Sequence, residues 1–300
     1  MACKSRKVHG FLVDMRPTPR YNENHGRVLR IRYGKEWHFM RVGISAASLY
    51  PMETEKALCH LNDLGYTLFE IFFNAYCETK PDFCALLNSM RETRGFEIKS
   101  VHPFTSALES MLLFERYTRR FEEGLAFYKN YMEAARRIGA KLLVLHGQRL
   151  GAGSLSDREY CDHYRTLYRL GRSLGVTVAQ ENVRLFRSAS PEFIAVMRRE
   201  LGDECAFVLD TKQAVMSGYT PAALCRAMGE RLVHVHLSDH TATESCLLPG
   251  AGSFDLRAFR EELRAVGYTG DVITEVYRQA IRDDAALKHA LSVTKAVFEE

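Results

Sequence analysis

The sequence predicts an α/β protein, a single-domain (β/α)₈ TIM barrel over residues 40–300 with an irregular basic N-terminal extension over residues 1–39. Three observations carry this reading. Eight short apolar runs recur along the chain, helix-length segments separate them, and run after run ends in an ionisable residue. The runs are 41–45 (RVGIS), 67–73 (TLFEIFF), 96–102 (FEIKSVH), 141–146 (KLLVLH), 176–181 (VTVAQE), 205–210 (CAFVLD), 231–237 (RLVHVHL) and 271–276 (DVITEV). Eight strands, each followed by a helix and joined by right-handed crossovers, close into a parallel barrel. A doubly wound open sheet is the rival, but no G-x-G-x-x-G follows the first run.

Residues 1–39 contain RPTPRYNENHG, punctuated by Pro and Asn and without apolar periodicity, so they read as irregular. Met40 stands directly before the first run. The folded domain is therefore expected to begin there, with the preceding residues a dispensable leader or a misassigned start. Residues 1–40 hold nine Lys/Arg and three Asp/Glu; the whole chain has 41 and 37, which leaves 32 and 34 for the remainder, a net charge of −2. The basic excess lies in the extension, so the charge of the main body gives no support to a nucleic-acid surface.

Between the runs the clearest helix is predicted over 113–138. Leu113, Tyr117, Phe121, Leu125, Tyr128, Met132, Ala135 and Ile138 recur there at spacings of three and four. Glycines 65, 95, 139, 175, 202 and 267 each stand shortly before a run, and Gly229 does so less cleanly, as helix-terminating residues do. Ser156 with Glu159 fits a capping box, Ser190-Pro191 a helix start, and Asp255 an N-cap. No low-complexity segment divides residues 41–300. The N-terminus is too weakly apolar for a signal peptide, and no apolar run approaches the roughly 20 residues that span a bilayer. Eight scattered cysteines without a C-x-x-C pair indicate reduced thiols and a cytoplasmic protein.

The active site of such a barrel lies at the C-terminal strand ends. Those ends read His102, His146, Glu181, Asp210, His236 and Glu275. Strand side chains alternate in direction, so His146 shares a face with Val144 and Leu142, Asp210 with Val208 and Ala206, and Glu275 with Ile273. In ERLVHVHLSDH (230–240), His234 and His236 share one face and Val233, Val235 and Leu237 the other. Three carboxylates and three imidazoles meeting at one mouth would desolvate and repel one another unless a cation held them. His236 is expected to face that cation and His234, deeper in the strand, to pack. A ligand set of two Glu, one Asp and one His suits Mn²⁺, with Mg²⁺, Co²⁺ and Zn²⁺ as alternatives. Strand-end carboxylates that merely cap the next helix are the plain alternative. Glu70, mid-strand in LFEIFF, reads as inward-facing and as a paired structural carboxylate.

These residues resemble the xylose-isomerase-like barrels, specifically the sugar phosphate isomerase/epimerase group, over about residues 41–295. The resemblance rests on QEN (180–182), LDTKQA (209–214), HVHLSDH (234–240), LPGAGSFD (248–255) and ITEV (273–276). It implies one divalent metal held by Glu181, Asp210, His236 and Glu275, with Glu181 and Glu275 exchanging a proton at the substrate carbon through a metal-stabilised enediolate. The implied activity is that of an isomerase or epimerase acting on a sugar, sugar phosphate or related polyol. Departures bear on the substrate: Gln213 stands where many relatives carry histidine, and Ala242 where ketohexose epimerases carry arginine.

His102 and His146 are read as binding substrate hydroxyls or a phosphate, or else as structural histidines of a polar rim. The loops GQRLGAGS and HTATESCLLPGAGS are expected to form much of the substrate pocket. The alternatives are an inosose-type dehydratase, an AP-endonuclease-like phosphodiesterase and a non-catalytic sugar-binding barrel. Against the phosphodiesterase stand Gln213 and the lack of a D-x-H pair between His236 and Asp255. The partner expected is a small-molecule sugar or sugar phosphate, with no nucleic acid or membrane, in a possible homo-oligomer.

Overall fold

The computed structural model describes residues 39–153 and 155–300, together with the backbone of 31–32 and 35–36. The chain divides into two units, Met1–His38 and Phe39–Glu300. In the first, Ile31–Arg32 pairs antiparallel with Lys35–Glu36; the expectation of an irregular, dispensable extension otherwise lies outside the described residues. In the second, eight parallel strands close into a barrel in chain order: β1 Val42–Ser45, β2 Leu68–Phe73, β3 Glu97–Pro103, β4 Leu142–Leu145, β5 Thr177–Glu181, β6 Phe207–Asp210, β7 Leu232–Leu237 and β8 Val272–Thr274. Strand β8 pairs with β1 through Val272 opposite Val42, which shuts the ring. The barrel predicted from sequence is the one observed, each strand within two residues of its run.

Helices follow the strands: α1 Thr54–Asp63, α2 Pro81–Arg94, α3 Thr118–Arg137, α4 Asp157–Ser173, α5 Pro191–Leu201, α6 Pro221–Met228, α7 Leu256–Ala265 and α8 Asp284–Phe298. Their ends obey the local signals. Ser156 and Glu159 form the reciprocal capping box of α4, Ser190 accepts from the Phe193 amide at the start of α5, and Asp255 caps α7. Helix α2 ends at Gly95 with φ 69°, a left-handed turn that costs glycine no Cβ clash. Among the described residues no helix is long and apolar enough to cross a membrane.

Alternation along the strands sorts the core into two layers. Leu142, Val144, Ala179, Ala206 and Val208 form a compact cluster inside the barrel. The residues that alternate with them along the strands, such as Leu143, Leu145, Val178, Phe207 and Leu209, join the larger layer between sheet and helices. One strand parity therefore fills the barrel, and its last members open into the mouth.

One helix boundary departs from its pattern. The helix predicted over 113–138 begins only at Thr118, as α3, and a separate short helix, Glu109–Leu112, precedes the predicted segment. Tertiary contacts claim the carbonyls that a continuous helix would use. The Leu113 carbonyl lies 2.7 Å from His163 Nδ1, and the Phe114 carbonyl accepts from Gln148 Nε2 at 2.9 Å. Phe114 then stacks on Tyr160, with ring centroids 4.3 Å apart.

Candidate metal centre

The mouth is built by side chains that staple one strand end to the next. Asn182, just past β5, exchanges two hydrogen bonds with the backbone of Asp210: its amide donates to the Asp210 carbonyl at 2.9 Å and its oxygen accepts the Asp210 N–H at 2.8 Å. Thr211 accepts the Ser238 N–H at 2.8 Å and donates to the Ser238 carbonyl at 3.0 Å, joining β6 to β7. Gln180 Nε2 donates to the His146 carbonyl at 2.7 Å, joining β5 to β4. These contacts give QEN, LDT and HLS their physical content, because each places a neighbouring strand's ionisable residue.

All six strand-end residues predicted from sequence converge. Glu181 Oε1 lies 2.9 Å from His236 Nδ1, Glu275 Oε2 3.5 Å from the same nitrogen, and Asp210 Oδ2 4.0 Å from it. Glu181, Asp210, His236 and Glu275 each offer a ligand atom within 4.8 Å of the others. Donors bonded to one ion at roughly 2.0–2.2 Å span about that distance, so the four residues fit a single divalent cation. Glu181 Oε2 turns the other way, 2.9 Å from His146 Nε2 and 3.8 Å from His102 Nε2. His102 and His146 approach each other to 2.9 Å, and with Glu181 they make a second group of three possible ligands.

Below the mouth lies a buried polar core. Glu70 is inward-facing and paired, as its position in β2 suggested. Its carboxylate accepts from Ser100 Oγ at 2.8 Å and Ser45 Oγ at 3.2 Å, and it lies 3.0 Å from His236 Nε2 and 3.3 Å from His234 Nε2. His234 packs deep in the barrel, fully buried, as expected. Glu70 thus engages one nitrogen of His236 and leaves Nδ1 for the cup, the arrangement that orients a metal-ligating imidazole.

Two further residues carried little sequence signal. Lys212 is buried, with Nζ 2.6 Å from Asp210 Oδ2 and 3.2 Å from Glu275 Oε2. It sits in the first turn of the helix Thr211–Met216, where a cation opposes the helix dipole; that local misfit was the available clue. Glu109 is fully buried and receives the Gly147 N–H at 2.6 Å and the Tyr128 hydroxyl at 2.9 Å, fixing the turn after His146. The plain alternative of helix capping holds for Asp210 as well: its Oδ1 accepts the Gln213 N–H at 2.8 Å while Oδ2 faces the cup. Gln213 itself accepts the Arg184 N–H at 3.0 Å.

The electrostatics follow from burial set against charge. Burial pushes Glu181 up, but its contacts to His102, His146 and His236 more than offset this and hold it well below the carboxylate range. Burial likewise opposes charge on Glu275, and His236 and Lys212 outweigh it, so its pKa is lowered. Asp210 is raised to about 7, by burial first and by the carboxylates of Glu181 and Glu275 against the pull of Lys212. Burial lowers His236, yet the surrounding carboxylates, Glu70 foremost, lift it well above the usual imidazole value. The cup therefore sets the carboxylates of Glu181, Asp210 and Glu275 against two positive groups, His236 and Lys212, in a space closed to water.

The loops frame the entrance. Asp239 gathers four backbone N–H groups, those of His240 at 2.7 Å, Gly250 at 2.9 Å, Gly252 at 3.0 Å and Phe254 at 2.9 Å. A Cβ at Gly252 would come within 2.3 Å of Asp239 Oδ1, so only glycine lets the LPGAGS loop close on that carboxylate. A cavity of about 480 Å³ is lined by Leu150, Arg184, Phe186, Met216 and Tyr219 among others, and by none of the cup residues. Phe186 stands edge-on to His146, centroids 5.7 Å apart, and links cavity and cup. Of the two loops expected to form the pocket, GQRLGAGS contributes Leu150 to this cavity; its remaining named walls follow β5 and β6.

Comparison with known proteins agrees with this architecture. The sequence pattern of one family, described as xylose isomerase-like TIM barrel, matches residues 60–297. An uncharacterised protein of Mycobacterium leprae (strain TN) is 24% identical over 263 residues, covering 81% of this chain and 91% of its own length. Among solved structures, a D-psicose 3-epimerase with D-tagatose from Clostridium cellulolyticum H10 superposes with a TM-score of 0.72 at 16% identity, covering 87% of this chain and all of the other. The IOLI protein with a binding zinc atom gives 0.67 at 19% identity, covering 86% of this chain and 98% of its own.

Proposed function

The chain belongs to the xylose isomerase-like TIM barrel family, and from that premise we propose that it is a divalent-metal-dependent isomerase or epimerase acting on a sugar, sugar phosphate or related polyol. One observation carries the reading: Glu181, Asp210, His236 and Glu275, from four consecutive strand ends, present their donor atoms within 4.8 Å of one another at the barrel mouth. The solved neighbours include an epimerase with a ketose and a protein with bound zinc, which points the same way.

Glu181, Asp210, His236 and Glu275 would hold the ion, with Mn²⁺ the best match to a set of three carboxylates and one imidazole. An ion held there supplies Lewis-acid polarisation of a carbonyl. Glu70 fixes the orientation of His236 through Nε2. Glu181 and Glu275 come from the two outer strands of the set of four and flank the cup, so one removes the carbon-bound proton and the other returns one. Return on the opposite face inverts the centre; return to the neighbouring carbon moves the carbonyl. His102 and His146, beside Glu181 at the rim, take substrate hydroxyls or a phosphate, and Phe72, stacked on His102 at 4.7 Å, fixes that ring.

The test is metal analysis of the purified protein followed by a ketose and inosose panel in deuterated solvent. One ion per chain and deuterium appearing at carbon are expected. Glu275→Gln should cut turnover by about 10²–10⁴-fold; full turnover in that variant would remove Glu275 from the chemistry. A second reading, phosphodiester hydrolysis, is favoured by the group His102, His146 and Glu181, which could hold another ion. Two or more ions per chain with nicking of abasic-site DNA would select it.

A further inference from the structure

Lys212 and a divalent ion need the same oxygen atoms. Asp210 Oδ1 is committed to the Gln213 N–H, so Oδ2 is what Asp210 can offer the cup, and Lys212 Nζ already sits 2.6 Å from it. Glu275 Oε2, the oxygen facing His236 Nδ1 at 3.5 Å, is 3.2 Å from the same ammonium. The Lys212 side chain is 3% exposed, with the Tyr277 ring centroid 5.1 Å away. A divalent ion bonded to both oxygens would lie within about 4 Å of that ammonium, where like charges away from bulk water repel strongly. Ammonium and ion therefore compete for Asp210 Oδ2 and Glu275 Oε2.

We propose that Lys212 is the resident cation of the cup: it neutralises Asp210 and Glu275 until a divalent ion displaces it, so that this exchange sets the affinity for the ion. The inference rests on the reading of residues 181, 210, 236 and 275 as ligands. The competing ion pair lowers apparent affinity in proportion to the fraction of molecules in which the two oxygens are free. Without Lys212 the apo barrel would bury carboxylates without their partner, which destabilises it. Lys212 is thus a positioning residue for the apo site and a brake on loading.

The experiment is calorimetric titration of Mn²⁺ into chelator-stripped wild type and Lys212→Met, with thermal melts of both before and after loading. Affinity roughly tenfold or more tighter in Lys212→Met, with a lower apo Tm that recovers on loading, is the expected result. Equal or weaker affinity in a folded Lys212→Met protein overturns the exchange while leaving the metal reading intact. No binding by either protein overturns both. Should Lys212→Met fail to fold, Lys212→Gln is titrated in its place. In the wild type, mass-spectrometric acetylation mapping reads the same event: faster labelling of Lys212 with Mn²⁺ supports release, and an unchanged rate overturns it.

Discussion

A carboxyl group removed from water keeps its charge only where donors replace the water. Glu70 and Glu181 keep theirs because imidazoles face them, and both fall well below the ordinary carboxylate range despite complete burial. At Glu109 burial outweighs the backbone N–H of Gly147, the Tyr128 hydroxyl and the more distant pull of His102, and pushes it up to about 8 from 4.5. Between those two values the unfolded chain has released the proton that the folded chain retains. Stability therefore falls as pH rises through this window and levels off above it. Glu109→Gln preserves both contacts, since its amide oxygen can accept from Gly147 and its NH₂ can donate to Tyr128. Urea unfolding at pH 6 and pH 9 should show the wild type losing more stability between the two than the variant, by on the order of a few kcal/mol. The loss common to both comes from Asp210 and His236. An equal loss in both would mean that Glu109 does not titrate in the fold. The strand-end residues of the cup were legible because period-two alternation sets their direction; Glu109 was not, because SALESM contains nothing that marks it as buried.

At the scale of elements, strands and caps follow local rules, and loops follow the groups that tie them down. The LPGAGS loop is ordered by one carboxylate that takes four backbone N–H groups. Asp239→Ala should cost about 3 kcal/mol by leaving those donors without a fixed acceptor. Gly252→Ala should fail similarly, through the clash with the same carboxylate. Equilibrium unfolding of both variants checks this; wild-type stability in either would place the loop's order elsewhere. The break before α3 makes the same point in reverse. The apolar spacing runs unbroken from Leu113, yet His163 and Gln148 hold the carbonyls of residues 113 and 114, and the helix waits until Thr118.

Across the whole barrel, the two ends of the strands serve different purposes. At the opposite end from the cup, Arg41 binds both oxygens of Asp271, at 3.0 and 2.9 Å, and Lys99 adds a contact at 2.8 Å, locking the start of β1 to the start of β8 where the ring closes. Asp271→Ala should lower stability by about 1.5–3 kcal/mol while leaving the affinity of the proposed metal site unchanged. Thermal melts and calorimetry together test this separation; a parallel loss of affinity would show that the seam and the mouth are mechanically coupled.

By itself the sequence determined the eightfold alternation of strand and helix, the parity that points six ionisable side chains into one mouth, and the caps that start α4, α5 and α7. Those features arise between residues near in the chain, where periodicity and hydrogen-bonding chemistry act directly. The tertiary structure alone decided that Glu181 divides its two oxygens between His236 and His146, that Glu70 stands under His236, and that Lys212 turns inward onto Asp210 and Glu275. Each of these depends on which strands become neighbours when the ring closes and on how many charges are then shut away from water together, and no single stretch of the chain carries that information.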